Sequence, residues 1–271
     1  MAPRVAVVGH VEWVTHARGT VPAAGQIAHL DDAFDEPAGG GGVTAAQVAG
    51  LGADCRLYTA LGDDGFGEAS GEILVGLGVT VLAARRDEPQ TRALTVVDAT
   101  GERTILVTGA RLSPRIDDPL PWDDLARCDA VFFTGDDPRT LIAARSARHL
   151  VVTARRLAAL VASAVQADVV VASATDSDEA VNPASLPVPP RAFVFTEGPR
   201  GGRIVLGDRE RRFEPASPPG PIVDAYGAGD SFAGGLTVGL AHGLPLDEAV
   251  ALAARCGAAA LTVRGGGVSG T

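Results

Sequence analysis

Short, continuous apolar runs alternate along this chain with longer segments rich in Ala and Leu. The runs VAVVG from Val5, AVFFTG from Ala130, HLVVTA from His149, DVVVAS from Asp168 and AFVFTEG from Ala192 have the length and β-branched content of buried strands. The segments RTLIAARSAR from Arg139 and RLAALVASAVQ from Arg156 read as helices between them. Unbroken apolar strands separated by helices predict an α/β fold with a mostly parallel central sheet and helices on both faces. In such folds a site lies beyond the carboxyl ends of the strands.

Two stretches depart from this pattern. RALTVVDATGERTILVTG from Arg92 alternates apolar and polar positions around Ala99-Thr100-Gly101, which predicts a hairpin. Residues 11–37 are polar and interrupted by Pro22, Gly25 and Pro37. They are expected to add strands to the same small β lid, so lid strands fall within 11–37 and 92–108 of a single domain spanning 1–271. The Pro-rich ASLPVPPRA reads as a surface connection.

Composition narrows the chemistry. Hydrophobic residues make up 46% but aromatics only 4%, so the core must be built mostly from Ala, Val and Leu. A formal net charge of −10 speaks against nucleic acid as a partner, because a phosphate backbone requires a basic stripe. All basic residues other than histidine are Arg, and the chain has no Lys. That excludes a Walker-type P-loop, a Schiff-base or pyridoxal-phosphate lysine and a protein-kinase strand lysine. Cys55, Cys128 and Cys256 form no CxxC pair and read as small buried side chains in a reducing compartment. The N-terminus passes directly into a strand pattern without the features of a signal peptide. No apolar stretch has the length to cross a bilayer. The expectation is a cytoplasmic protein with no membrane partner.

The densest chemical signal is IVDAYGAGDSFAGGLTVGLAHG, Ile222–Gly243. Ile222 and Val223 look like the end of a strand. Gly227, Ala228 and Gly229 are small enough to turn backbone N–H groups toward a ligand. Phe232, Leu236 and Leu240 repeat at helical spacing. A helix start offers unpaired donors and partial positive charge, which suits an anion. Asp230 beside such a site makes sense as the base that takes a proton from a hydroxyl while a phosphate is attacked. The helix dipole is expected to help keep it ionised. The competing reading is an acid that caps a helix after a glycine turn. A dinucleotide GxGxxG is excluded, since Phe232 stands at its last glycine. Ser231 lies outside any G-x-S-x-G setting, so no serine-hydrolase reading survives.

DAYGAGDSFAGG resembles the DTxGAGDxFxGG signature of the ribokinase-like, PfkB-type sugar kinases. PAGGGGVTAAQVAGLGADCRLYTALGDDGFG is similar to that family's N-terminal signature of a Gly-rich loop, a helix, a strand and Gly-x-Asp-x-x-Gly. VFTEGPRGG resembles its Thr-x-Gly-x-x-Gly nucleotide segment, and TVVDATGERTIL its lid hairpin. The resemblance implies a ribokinase-like fold and ATP-dependent phosphorylation of a small sugar-like substrate with Mg²⁺. Nucleoside phosphorylation, or nucleotide or sugar binding without turnover, remain alternatives. By the same resemblance, Asp230 is the base, and Gly227, Ala228 and Gly229 form the anion hole. Thr196, Gly198, Gly201 and Ala258 line the nucleotide. Gly39, Gly41 and Glu12 approach the substrate. Asp224 serves a monovalent cation such as K⁺, and Asp176 reaches Mg²⁺ through water. The lid strands offer a route to a homodimer, since strand edges invite pairing.

Departures from the family pattern are equally specific. Val43 occupies the place of a sugar-binding Asn, and Val14 that of a substrate Asp, with Glu12 two residues earlier. The Asn-x-x-Glu motif maps onto Ser173–Asp176, with Asp178 and Glu179 nearby, and the Thr of DTxGAGD is Ala225. The phosphate machinery is thus mostly kept, while two expected sugar contacts are lost. His10, Glu12 and His16 share strand parity and are read as lining the substrate mouth in preference to binding a metal. Asp63-Asp64 reads as a polar turn.

Overall fold

The computed structural model describes residues 2–99, 101, 103–183 and 186–267. The five apolar runs become β1 (Arg4–Gly9), β8 (Ala130–Thr134), β9 (His149–Thr153), β10 (Val169–Ser173) and β11 (Ala192–Thr196). Joined by β4 (Asp54–Gly62), β5 (Thr80–Arg86), β12 (Gly202–Leu206) and β13 (Arg209–Phe213), they form one sheet in the order β13-β12-β11-β10-β9-β8-β1-β4-β5. All pairings from β5 across to β11 are parallel, and only the β11–β12 and β12–β13 pairings are antiparallel.

Alternation along the strands builds a core on each face. Val5, Val7, Phe132 and Val194 pack on one side against α1 (Gly39–Gly50), α2 (Gly65–Gly76), α5 (Ala228–Ala241) and α6 (Leu246–Ala260). Ala6, Val8, Phe133 and Val152 pack on the other against α3 (Pro138–Ala144) and α4 (Leu157–Ser163). Parallel strands place their carboxyl ends on one edge, which brings residues 10, 134, 154, 174 and 197 to a common rim.

The two irregular stretches form a second sheet. Its strands are β2 (Glu12–Arg18), β3 (Asp31–Ala38), β6 (Arg92–Val97) and β7 (Arg103–Thr108), in the order β3-β2-β6-β7. Residues 100 and 102 of the expected hairpin turn, and residues 184–185 of the Pro-rich connection, lie outside the described residues. A buried cluster fixes this sheet to the body. His16 Nε2 lies 2.9 Å from Glu36 Oε1. The His16 ring stacks on Phe34 at 4.8 Å and meets Tyr226 edge-on at 4.7 Å.

Two local expectations are corrected. The glycine run is no loop: α1 begins at Gly39 itself, whose φ of +74° makes the entry turn. Gly41 lies against backbone, and an added Cβ would fall 2.6 Å from the His10 carbonyl oxygen. Ile222 and Val223 belong to no strand. With no ladder partner, they lead into the loop before α5, where Val223 N donates to Leu261 O at 2.8 Å. Further along α5, Gly234 and Gly235 answer helix packing. A Cβ at Gly235 would meet Cys256 Sγ at 2.7 Å, and one at Gly234 would meet Gln47 Cγ at 3.1 Å.

Candidate active site

Asp230 occupies the first turn of α5, whose N-cap is Gly227 with φ +71° and no side-chain cap. The capping reading of Asp230 therefore falls. Its carboxylate forms no hydrogen bond or ion pair with the described residues; only its carbonyl oxygen is engaged, by Thr44 Oγ1 at 3.3 Å. The side chain is half-buried and lies over the start of α1. A Cβ built at Gly40 would stand 3.4 Å from Asp230 Oδ1 and 3.1 Å from Thr134 Oγ1. Two helix N-termini thus converge on one free carboxylate. Their first-turn N–H groups lack helical acceptors and carry partial positive charge.

The help expected from the helix dipole in keeping Asp230 ionised is opposed by burial. Burial raises its pKa to about 6, and the like charges of Glu179 and Glu12 push the same way, against Arg155 and Arg103. The group remains ionised at neutral pH yet stands close to the range that suits a general base.

The glycines around it separate by function. Gly227 needs its left-handed conformation, and a Cβ there would meet Val43 Cγ1 at 3.0 Å. Gly229 faces open space, with no atom within 4 Å of a built Cβ. Next to it, the Ala228 and Gly229 amides begin the helix. Asp224 ties this loop together: Oδ1 accepts from Tyr226 N at 2.9 Å and Oδ2 from Gly265 N at 3.2 Å.

On the β1 side the wall is polar and buried. Glu12 is 7% exposed and His10 6%, with His10 Nε2 3.5 Å from Glu12 Oε1. Burial, together with Arg111 and Arg156, lowers the His10 pKa to about 3, so the ring is neutral and this contact is no ion pair. Its Nδ1 is buried without a hydrogen-bond partner. Gly39 adjoins this pair, since an added Cβ would lie 3.2 Å from both Glu12 Cγ and His10 Cδ2. Val43 and Val14 are 1% and 0% exposed. They are packing positions, and the polar wall is supplied by His10 and Glu12.

On the β10–β12 side, Asp176 Oδ1 accepts from Asp178 N at 2.9 Å, and its other oxygen is paired with Arg155 Nη2. Glu179 Oε2 accepts from Ser173 N at 2.6 Å, and its Oε1 pairs with Arg155 Nε at 2.8 Å. Glu179 acts on Asp230 as the strongest like charge. The described residues contain no cluster of three His, Cys, Asp or Glu side chains able to cage a metal. Thr196 ends β11, half-buried, with Oγ1 3.5 Å from Ala172 O. Gly198 is open at φ +59°. Gly201 is needed by the fold, because a Cβ would fall 2.2 Å from the Phe213 carbonyl oxygen. Ala258 is 7% exposed on α6, whereas neighbouring Ala259 is exposed. Sequence reasoning missed Gly40, which the start of α1 sets against Asp230, and Thr134, Arg155 and Arg156, which only the strand order brings to this rim.

This sheet order, with the small second sheet beside a glycine-bounded carboxylate, defines the ribokinase-like class of α/β proteins. The chain belongs to the PfkB family of carbohydrate kinases, whose family description, pfkB family carbohydrate kinase, matches residues 2–270. Proteins of that family are phosphotransferases. Over 75 residues, 27% of this chain and 25% of the relative, it is 39% identical to acarbose 7(IV)-phosphotransferase of Actinoplanes sp.. The fold is that of Arabidopsis thaliana ribokinase complexed with ribose and ATP, with a TM-score of 0.76 at 19% identity, covering 98% of this chain and 94% of that one. It is also that of adenosine kinase from Sinorhizobium meliloti, with a TM-score of 0.78 at 18% identity, covering 98% and 96%. No helix among the described residues is long and apolar enough to cross a membrane, and all three cysteines are free and buried.

Proposed function

We propose that this protein transfers the γ-phosphoryl group of ATP to a hydroxyl of a sugar or similar small polyol. One observation carries the reading: Asp230 is an unpartnered carboxylate poised between two helix N-termini. A hydroxyl bound there loses its proton to Asp230 as its oxygen attacks phosphorus in line. The N–H groups of Ala228 and Gly229 stabilise the charge that develops on the phosphoryl oxygens. Gly227 sets the turn that aims them. Glu12 and His10, with Gly39 leaving room, hold hydroxyls of the acceptor. Thr196, Gly198, Gly201 and Ala258 border the nucleotide half. Mg²⁺ bound with the nucleotide neutralises phosphate charge, and Asp176 and Glu179 are the groups that would hold its waters. Asp224 organises the loop that a monovalent cation such as K⁺ would stabilise.

The second sheet acts as the lid that excludes water, and its free edge β7 is the surface through which two copies would pair. The reaction is expected to take place in the cytoplasm. Thermal-shift measurements with a non-hydrolysable ATP analogue and a panel of polyols and nucleosides test the acceptor class, because a ligand of the native state raises its melting temperature. Stabilisation by a polyol supports the reading. Stabilisation by nucleosides alone would move the acceptor class to nucleosides. Binding without turnover of any stabilising compound would leave a sensor.

A further inference from the structure

The strand order gives two successive arginines opposite tasks. β9 lies between β10, whose end carries Asp176 and Glu179, and β8, whose end carries Thr134. Arg155 and Arg156 follow β9 directly. Arg156 turns toward the β8 side, with Nε donating to Thr134 O at 2.9 Å and Nη1 3.0 Å from Asp136 Oδ1. Arg155 turns toward the β10 side and meets Asp176 through Nη2 and Glu179 through Nε at 2.8 Å. Among the described residues its Nη1 has only Asp178 Oδ2 nearby, at 3.9 Å, beyond hydrogen-bond distance. A guanidinium carries five N–H donors. Two carboxylates therefore fix its orientation and leave donors on Nη1 without an acceptor. The side chain is 46% exposed, which leaves it within reach of a ligand.

We propose that Arg155 is a further catalytic residue, whose Nη1 donors contact the phosphoryl group as it crosses from the nucleotide to the acceptor. This rests on the kinase reading above. Three features support it. The residue hangs from the strand that divides the nucleotide half of the rim from the acceptor half. It acts electrostatically on Asp230, lowering the pKa that Glu179 raises. The chain also contains no lysine, so a permanently charged side chain for the migrating group must be an arginine. A planar guanidinium held by carboxylates is preorganised for phosphate oxygens. Asp176 acquires a defined task in this arrangement, since it positions Arg155 besides being one of the groups that would hold a metal's waters.

The test compares ADP alone with ADP plus aluminium fluoride, a mimic of the phosphoryl group in transit, each with Mg²⁺ on the full chain. Wild type is expected to bind the fluoroaluminate complex more tightly than ADP. Arg155→Ala is expected to lose about tenfold or more of that added affinity while its affinity for ADP stays within about twofold, and Arg155→Lys to recover part of it. A purely structural role would weaken both complexes alike, and that result would overturn the proposal. So would an Arg155→Ala variant that gains as much from fluoroaluminate as wild type. A wild type that binds ADP but gains nothing from fluoroaluminate would overturn the kinase reading and this inference together. Melting curves of both variants establish that they are folded before binding is compared.

Discussion

Asp230 holds a charge in a place that disfavours it. Its pKa of about 6 stands above the ordinary value of 3.8 because burial, Glu179 and Glu12 all favour the neutral acid. Two consequences follow at the scale of this one residue. As a base it works only when ionised, so kcat/KM is expected to rise with pH through about 6 and then level off. A profile flat from pH 5 to 8 would remove Asp230 from the proton transfer. Stability runs the other way. Between 3.8 and about 6 the folded protein holds the proton that the unfolded chain has released, so stability falls as pH rises through that window. Asp230→Asn is therefore expected to raise stability at pH 7.5, on the order of 2 kcal/mol, and to change little at pH 3.5. Paired melting curves at the two values read this directly.

At the scale of elements, the glycines of α5 make the sharpest contrast. Gly235 packs on Ala253 and Cys256 of α6, where a built Cβ falls 3.0 Å from Ala253 Cα. Gly235→Ala is expected to destabilise by about 1–3 kcal/mol through overpacking. Gly229 faces open space, so Gly229→Ala should leave the melting temperature level or slightly higher, since alanine favours a helix by up to about 1 kcal/mol. Turnover should nevertheless drop, because the methyl enters the space assigned to the phosphoryl group. An active Gly229→Ala enzyme would move the anion hole elsewhere.

The same elements explain what the sequence disclosed. β1, β8, β9, β10 and β11 were legible because strands buried on both faces must be unbroken apolar runs. The helical start of α1 was hidden, since four successive glycines signal a loop unless neighbouring backbone requires them, and Gly41 on His10 is such a contact. Asp230 was legible from its local motif. Thr134 and Arg155 were not, because parallel topology brings them to the rim from separate strands. Glu179 was seen beside Asp176 without a task, because only the fold sets its charge against Asp230.

At the scale of the whole molecule, the second sheet is clamped and open at once. His16, Glu36 and Tyr226 bind its root to the loop before α5, and Glu36 Oε1 also accepts from Gly266 N at 2.5 Å. Its far edge is β7, on which Ile105, Leu106 and Val107 are 43%, 47% and 53% exposed. An exposed apolar edge strand favours pairing with another chain. Sedimentation is expected to show a dimer at micromolar concentration, with Val107→Lys shifting it toward monomer at an unchanged melting temperature. A wild type that stays monomeric would leave β7 a plain lid edge.

The proposed function rests on the placement of one carboxylate, Asp230, beside the site proposed for the phosphoryl group. The most direct measurement follows radiolabel from γ-labelled ATP into the polyol and nucleoside panel, for wild type and Asp230→Asn side by side. The expected result is label in at least one hydroxylated acceptor, with the variant slower by about two orders of magnitude or more, the usual weight of a general base. Equal labelling by the two proteins, or label passing from wild type to water alone, would contradict the account.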